Sequence, residues 1–439
     1  MKLSYVVFTL LIGLITNSPV SAFAEGATDP AALAALLKLA TSNNPALLAA
    51  REQIEVSASR LDQASALPDP QLSFSFLNYP EDNLSTDASP MTGNDIKLSQ
   101  QFPFPGKLST KRELAHQQEL WARASYADMV LQVRQKVRDN WYKLSYLRHA
   151  ITLIQTNIRL LDDLVQLTET RYQVGKGLQQ NVLKAQVERS RLLDSLLTLK
   201  KEAQVAQAQI NSLAGQPTDQ ALGDLPDLTN PSYDQTLDRL QQQAREHRPL
   251  FAAYDALISQ YEQKVRLAKL DYRPDFNLWA SYRLRDDSLP DGGTNFLSGG
   301  ISINLPFPSA KRRAADREAD SGLHMARQQR NDFTRQVDLD LFNNLTELQQ
   351  AQKLVELYGG GIIPQAEQAY KATLAAYQVD KVDFLALTDS LLTLYRYRID
   401  HVRAKADVLR SIARLQATTG LDDIPPANST PSTKEDPHA

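Results

Sequence analysis

Residues 94–116 read NDIKLSQQFPFPGKLSTKRELAH, and the chain changes character inside that stretch. Up to Phe102 apolar residues recur at alternate positions (Ile96, Leu98), a weak version of the period of a strand with one apolar face. From Lys107 to Leu213 there is no proline, and the only glycines are Gly175 and Gly177. A helix from about Leu108 to Gln173 would be about 100 Å long at ~1.5 Å per residue. No ordinary globular core is that deep. Its apolar set Ile154, Ile158, Leu161 and Val165 is spaced four, three, four, the seam of helices packed side by side.

The junction occurs twice. FPFPGK around Pro103 returns as LPFPSAK around Pro306, NNPALLAA at Asn43 as HRPLFAA at His247, PDPQLSFSF as YRPDFNLWASY, and RYQVGK as AYQVDK. The landmarks keep their order at a spacing of about 204 residues, drifting by one either way, which marks two copies of one structural unit. The division is a signal peptide over 1–24, a first repeat over 25–214, a linker over 215–231, a second repeat over 232–419 and a polar tail over 420–439. The first repeat has strands at about 70–79 and 94–103 and long helices over 107–213. Strands at about 275–284 and 295–305 and long helices over 309–418 make up the second. Gly359, Gly360, Gly361 and Pro364 should kink the second long helix.

The short runs alternate cleanly. Leu72, Phe74 and Phe76 take turns with Gln71, Ser73 and Ser75, and Phe276, Leu278, Ala280, Tyr282 and Leu284 with a mostly polar set. Leu297, Ile301, Ile303 and Leu305 oppose Ser298, Ser302 and Asn304. Such alternation fits half-buried strands of a soluble sheet, or a barrel with lipid outside and water inside. Four strands cannot close a barrel around a channel, whereas three copies would supply twelve, an even number within the bacterial range.

Composition narrows the function. The 48 Lys and Arg against 51 Asp and Glu give a net charge of −3, which offers no bulk attraction for nucleic acid. Absence of cysteine excludes disulfides, thiolate metal sites, a cysteine nucleophile and a cysteine-linked lipid. Lys2, the apolar run Tyr5 to Ile15 and the small-residue pattern Ala22-Phe23-Ala24 outline an export signal with Glu25 as first mature residue. The six histidines are scattered, and no HExxH, His pair or serine-hydrolase elbow occurs. No enzyme activity, cofactor or dedicated metal site is expected.

An exported duplicate of helix, strand pair and very long helix resembles the TolC family of outer-membrane efflux channels. The fragments QQFPFPGK at Gln100, RYQVGKGLQQNVLKAQ at Arg171 and IIPQAEQAYKATLAAYQVDKVDFLALTDS at Ile362 carry the resemblance, which covers nearly all the mature chain. FPFPGK and DKVDFL look most like the heavy-metal CusC and CzcC type. The resemblance implies a mainly α chain with a small β part. It also implies a homotrimer whose twelve strands form an outer-membrane barrel in contact with lipid, continuous with a periplasmic α-helical tunnel. The inter-repeat segment and C-terminal residues would form a belt around the tunnel. Implied partners are a periplasmic adaptor and an inner-membrane pump of the resistance-nodulation-division type. The cargo, heavy-metal cations on the likeness to the CusC and CzcC type, would be passed on and not captured. A soluble periplasmic coiled-coil adaptor or scaffold is the alternative, but an adaptor should lack duplicated strand pairs.

The resemblance also implies a site. Val174, Gly175, Lys176 and Val379, Asp380, Lys381 match the family's tip motif, which contacts the adaptor hairpin. Aligned from Tyr377, the two aspartates of the family's constriction fall on Ala386 and Asp389, so a threefold ring would rest on Asp389, with Asp383 nearby. A family hydrogen bond would join Tyr377 to Asn181, and the arginine of the other lock is replaced by Val382. The expectation is a closed state with fewer polar latches. Asp380 stands where glycine is usual, at a turn that favours φ > 0.

Overall fold

The computed structural model describes residues 30–225 and 227–421. The signal segment, its cleavage motif, Pro226 and the tail beyond 421 lie outside them. In the first copy α1 (Pro30–Asn43) and α2 (Pro45–Ser65) lead into β1 (Gln71–Leu77) and β2 (Gly93–Phe102), followed by α3 (Lys107–Gln173) and α4 (Gln179–Leu213). The second copy repeats the order with α5 (Leu237–His247), α6 (Pro249–Leu270), β3 (Phe276–Leu284), β4 (Phe296–Ile303), α7 (Ala310–Leu357), a π-helical turn (Tyr358–Ile362), α8 (Ile363–Gln378) and α9 (Phe384–Thr419). The chain is mainly helical with one small sheet, and α3 alone runs for 67 residues.

The breaks α1/α2 and α5/α6 have one cause. Pro45 and Pro249 open the following helices, and the residue before each is held extended, Asn44 at ψ 120° and Arg248 at ψ 119°, because the proline ring clashes with a helical predecessor. Asn44 then caps α2, its carboxamide oxygen accepting from Ala46 N at 3.0 Å and Leu47 N at 3.2 Å, while its Nδ2 donates to Leu213 O at 2.9 Å.

Four helix ends share a geometry. Past α3, α4, α8 and α9 an N–H returns to the carbonyl five residues back, Lys176 to Arg171 (2.8 Å), Gln216 to Asn211 (2.8 Å), Lys381 to Ala376 (2.9 Å) and Leu421 to Gln416 (3.1 Å). This closure needs a left-handed residue just beyond the helix, supplied by Gly175, Gly215, Asp380 and Gly420 at φ 73°, 66°, 60° and 82°. Gly215 and Gly420 are also pressed against Asn43 O and His247 O, which a Cβ would meet at 2.7 and 2.6 Å. The end of α4 thus sits on the α1/α2 break, and the end of α9 on the α5/α6 break.

The kink expected at residues 359–364 falls on a change of helix type. With Lys311 set against Lys107 and Tyr377 against Tyr172, the second copy has one residue more between those points. Tyr358–Ile362 winds as a single π turn between α7 and α8, and bonding from i to i+5 takes in one residue more than an α turn does. The helix runs on through the glycines with the surplus absorbed.

The sheet is antiparallel throughout in the order β1-β2-β3-β4, so β1 and β4 each have one edge unpaired. Registers Phe74↔Ile96, Leu98↔Ala280, Ile96↔Tyr282, Phe276↔Ile303 and Leu278↔Ile301 place most of the apolar residues of the four strands on one face. That face is bare: Phe76 and Leu297 are each 80% exposed, and Leu72, Phe74, Ile301 and Ile303 are exposed too. The other face carries Ser73, Ser75, Asp95, Lys97, Ser99, Asn277, Ser281, Arg283, Ser298 and Ser302, together with Trp279 in its middle and Leu77 and Phe296 at the loop end.

Below the sheet the helices enclose a string of apolar clusters in place of one core. Trp141, Leu144, Leu147, Ala206 and Ile210 form one, and Phe251, Phe333, Leu341, Leu348 and Leu415 belong to another. The inter-repeat segment lies along the middle of α3, where Arg148 donates to Gly223 O and Leu222 O and His149 meets Asp227 at 3.0 Å. At the strand-to-helix junction the buried Lys107 Nζ meets Asp275 Oδ1 at 2.9 Å, and Phe104 N donates to the same oxygen at 2.7 Å. The FPFPGK lysine thereby fixes the first copy's exit to the second copy's entry.

The copies are joined again at α3. Asp128, 2% exposed, accepts from Arg248 Nε at 3.0 Å and from Gln132 Nε2 at 2.7 Å. Asp139 accepts from both Arg410 and Arg414 at 3.1 Å. Removing one member of a buried pair strands the other. Asp128→Ala should therefore destabilise the purified protein by about 3 kcal/mol, read as a lowered midpoint in thermal or urea unfolding. Asp128→Asn, which keeps the acceptor, should lose less.

Candidate channel constriction and docking tips

Two five-residue turns lie at the end of the bundle distal to the sheet. Residues 174–178 join α3 to α4, and 379–383 join α8 to α9. Val174 and Val379 hold matching positions, 62% and 61% exposed, and Leu178 is exposed beside the first. Lys176 and Lys381 each close the backbone ring described above. The six tip residues thus form two similar knobs, each an apolar side chain next to a left-handed residue.

The turns are not equivalent. A Cβ added to Gly175 would meet nothing within 4 Å, so the first turn has glycine for its backbone conformation alone. Asp380 adopts the same conformation with a side chain, at a steric cost that glycine does not carry. Its carboxylate is bound by Arg171 Nη2 at 2.7 Å. Arg171 comes from the last turn of α3, and its guanidinium also lies 4.8 Å from the ring centroid of Tyr377. Hydrogen bonding to Tyr377, followed by the bond and charge of Asp380, holds the guanidinium above its ordinary pKa. Arg171 therefore fastens the first hairpin to the second.

Tyr377 is 5% exposed and packs edge-on against Phe384, with ring centroids 6.0 Å apart. It belongs to an apolar cluster with Leu161, Leu164, Ala185, Leu387 and Leu391 that draws on all four helices of this end. Among the described residues Tyr377 is held by Arg171, and the side chain of Asn181 makes no hydrogen bond to it. Asp383 is the N-cap of α9, its carboxylate accepting from Ala386 N at 2.8 Å. Asp389 points away from the cluster. It shares an exposed face of α9 with Leu385 and Ala386, while Phe384, Leu387, Thr388 and Leu391 face inward.

Arg171 is the residue that sequence reasoning passed over. Its signal was the anomaly at Asp380: a carboxylate in a position made for glycine calls for a cation. Charges farther up the hairpins act similarly, with Glu367 held below its usual pKa by Lys371 and Arg398.

Known proteins share this fold. The family described as "Outer membrane efflux protein" matches residues 36–216 and again 240–421. The cobalt-zinc-cadmium resistance protein CzcC of Cupriavidus metallidurans is 24% identical over 414 residues, which are 93% of each chain. Among solved structures, the outer membrane protein VceC of Vibrio cholerae superposes with a TM-score of 0.75 at 20% identity, over 89% of this chain and 96% of that one. CusC superposes with a TM-score of 0.75 at 14% identity, over 89% and 92%. With each copy matched in turn, the chain belongs to the outer membrane efflux protein family and acts as an efflux channel of the outer membrane.

Proposed function

We propose that three copies of this chain assemble into a single exit duct, closing a twelve-stranded barrel in the outer membrane above a helical tunnel in the periplasm. The observation that carries the reading is the sheet with one bare apolar face and two unpaired edges. In water that face would aggregate, and in lipid the open edges could not persist. Pairing β4 of one copy with β1 of the next removes both difficulties. The nine residues of β3, at ~3.3 Å each and tilted by about 40°, match an apolar band about 25 Å tall. Beneath the sheet α4 packs chiefly on α3 and leaves Leu183, Val187 and Leu197 exposed, which supports a lateral seam between copies.

The duct has no energy source of its own. A resistance-nodulation-division pump in the inner membrane would drive transport, coupled through a periplasmic adaptor that docks on Val174, Gly175, Lys176, Val379, Asp380 and Lys381. Heavy-metal cations are the proposed cargo, a reading supported by the likeness to a cobalt-zinc-cadmium resistance protein. Threefold symmetry would bring three Asp389 carboxylates around the aperture and favour cations there, with Asp383, Tyr377 and Asn181 nearby. The barrel would be the sole membrane anchor, since no cysteine is present to carry lipid.

Planar-bilayer conductance tests the duct. Purified protein should form cation-preferring pores, and Asp389→Ala should reduce that preference; an unchanged preference would remove Asp389 from the aperture. The same recordings read the latch. Asp380→Gly keeps the left-handed turn without strain and releases Arg171, so resting conductance should rise several-fold with little change in thermal stability.

A further inference from the structure

Trp279 is on the wrong face by ordinary hydropathy. Its neighbours across the ladders are Ser99 on β2 and Gly300 on β4, in the polar layer of the sheet. A tryptophan carries a large apolar surface, and on a water-facing wall it needs a reason to be there. The indole lies across Gly300, where an added Cβ would come within 2.9 Å of Cζ2 and 3.2 Å of Nε1. Glycine weakens a strand interior; at this position it makes room for the ring. Lys97, which faces Ser281 across the β2–β3 ladder, holds its Nζ over the ring, 4.6 Å from the indole centroid. Lys97 forms no ion pair among the described residues. Asp95 and Arg283 stand opposite one another two positions along, so the strands present two cations and one carboxylate on this wall.

We infer that Lys97, propped on Trp279, is a charge-selecting residue of the barrel wall that draws small inorganic anions to the lumen surface. The inference rests on the reading that three copies close a barrel with this face inward. A free lysine on a strand sweeps a wide arc. The cation–π contact with the indole biases the ammonium toward one place on the wall. Symmetry then sets three ammonium groups at one height. Their field reaches about 10 Å at 0.1 M salt and about 30 Å at 0.01 M, so the effect is a property of the wall at high salt and of the whole lumen at low salt. The sign is opposite to that of the Asp389 carboxylates at the far end of the path. Cations that pass the aperture would meet a wall that does not retain them.

Trp279 is itself the reporter. The chain has 3 tryptophans, and Trp121→Phe with Trp141→Phe leaves it alone. The full-length protein is reconstituted in phosphatidylcholine vesicles, with or without brominated acyl chains, and its fluorescence is quenched by iodide and by caesium. Iodide quenching should exceed caesium quenching most strongly at 0.01 M ionic strength and converge with it at 1 M. Lys97→Gln should lower the iodide-to-caesium ratio by about two-fold or more, and Lys97→Glu should lower it further. A ratio indifferent to both substitutions overturns the inference and leaves the barrel reading intact. Quenching by brominated lipid with none by iodide would put this face against the membrane and overturn both. If the tryptophan substitutions prevent assembly, the reversal potential of Lys97→Glu in the otherwise intact chain, under a tenfold salt gradient, decides: a shift toward cations is expected, and no shift refutes the inference.

Discussion

Backbone hydrogen bonding in a medium without water is the constraint on which the proposed assembly rests. Every N–H and C=O at the depth of the hydrocarbon must find a partner within the protein, and a four-stranded sheet leaves two rows of such groups open. The bare face of Leu72, Phe74, Phe76, Leu297 and Ile301 adds a second demand, a neighbour as apolar as itself. No rearrangement within one chain meets both demands, because the polar face opposite would then be lost to water. On the proposed assembly the chain is folded, yet complete only in company.

Duplication meets part of this demand inside the chain. The β2–β3 ladder joins the two copies as a seam between chains would, and the Lys107 to Asp275 contact continues that join at the head of the long helices. Lower down, Arg248 on Asp128 and Arg410 and Arg414 on Asp139 hold copy to copy, and at the tip Arg171 on Asp380 does so again. These contacts are charge-assisted and lie at intervals along some 100 Å of helix. A string of small apolar clusters gives each level its own packing, and the ion pairs set how the levels are rotated against one another.

Much of this was legible in the sequence because local rules govern it. The absence of proline gave the long helices and alternation gave the strands, whereas the breaks at Asn44 and Arg248, set by Pro45 and Pro249, came from the structure. Alternation alone could not say whether the apolar face was covered, since a soluble half-sheet and a lipid-facing one read identically; the register across four strands and the exposure of Phe76 and Leu297 show that nothing within the chain covers it. Contacts between residues far apart in the chain left little local trace. Arg171 and Asp128 read as ordinary helix-surface charges, and Gly215 and Gly420 as ordinary helix ends, until their partners came into view. The glycine run at 359–361 suggested a break because glycine and proline disfavour helix, although the one-residue drift between landmarks already carried the answer.

That drift gives the molecule a history. Two copies made by duplication begin at equal length, so one of them has since gained or lost a residue in the stretch that ends at Tyr172 or Tyr377. In a regular α-helix such a change would turn every later side chain by about 100°, carrying Tyr377 out of its cluster and Asp389 off its face. The π turn confines the difference to Tyr358–Ile362. Since that event the two halves of the chain have no longer been interchangeable, and a gene assembled from two first copies would lack the Asp380 turn, the α9 cap and the Asp389 face that distinguish the second.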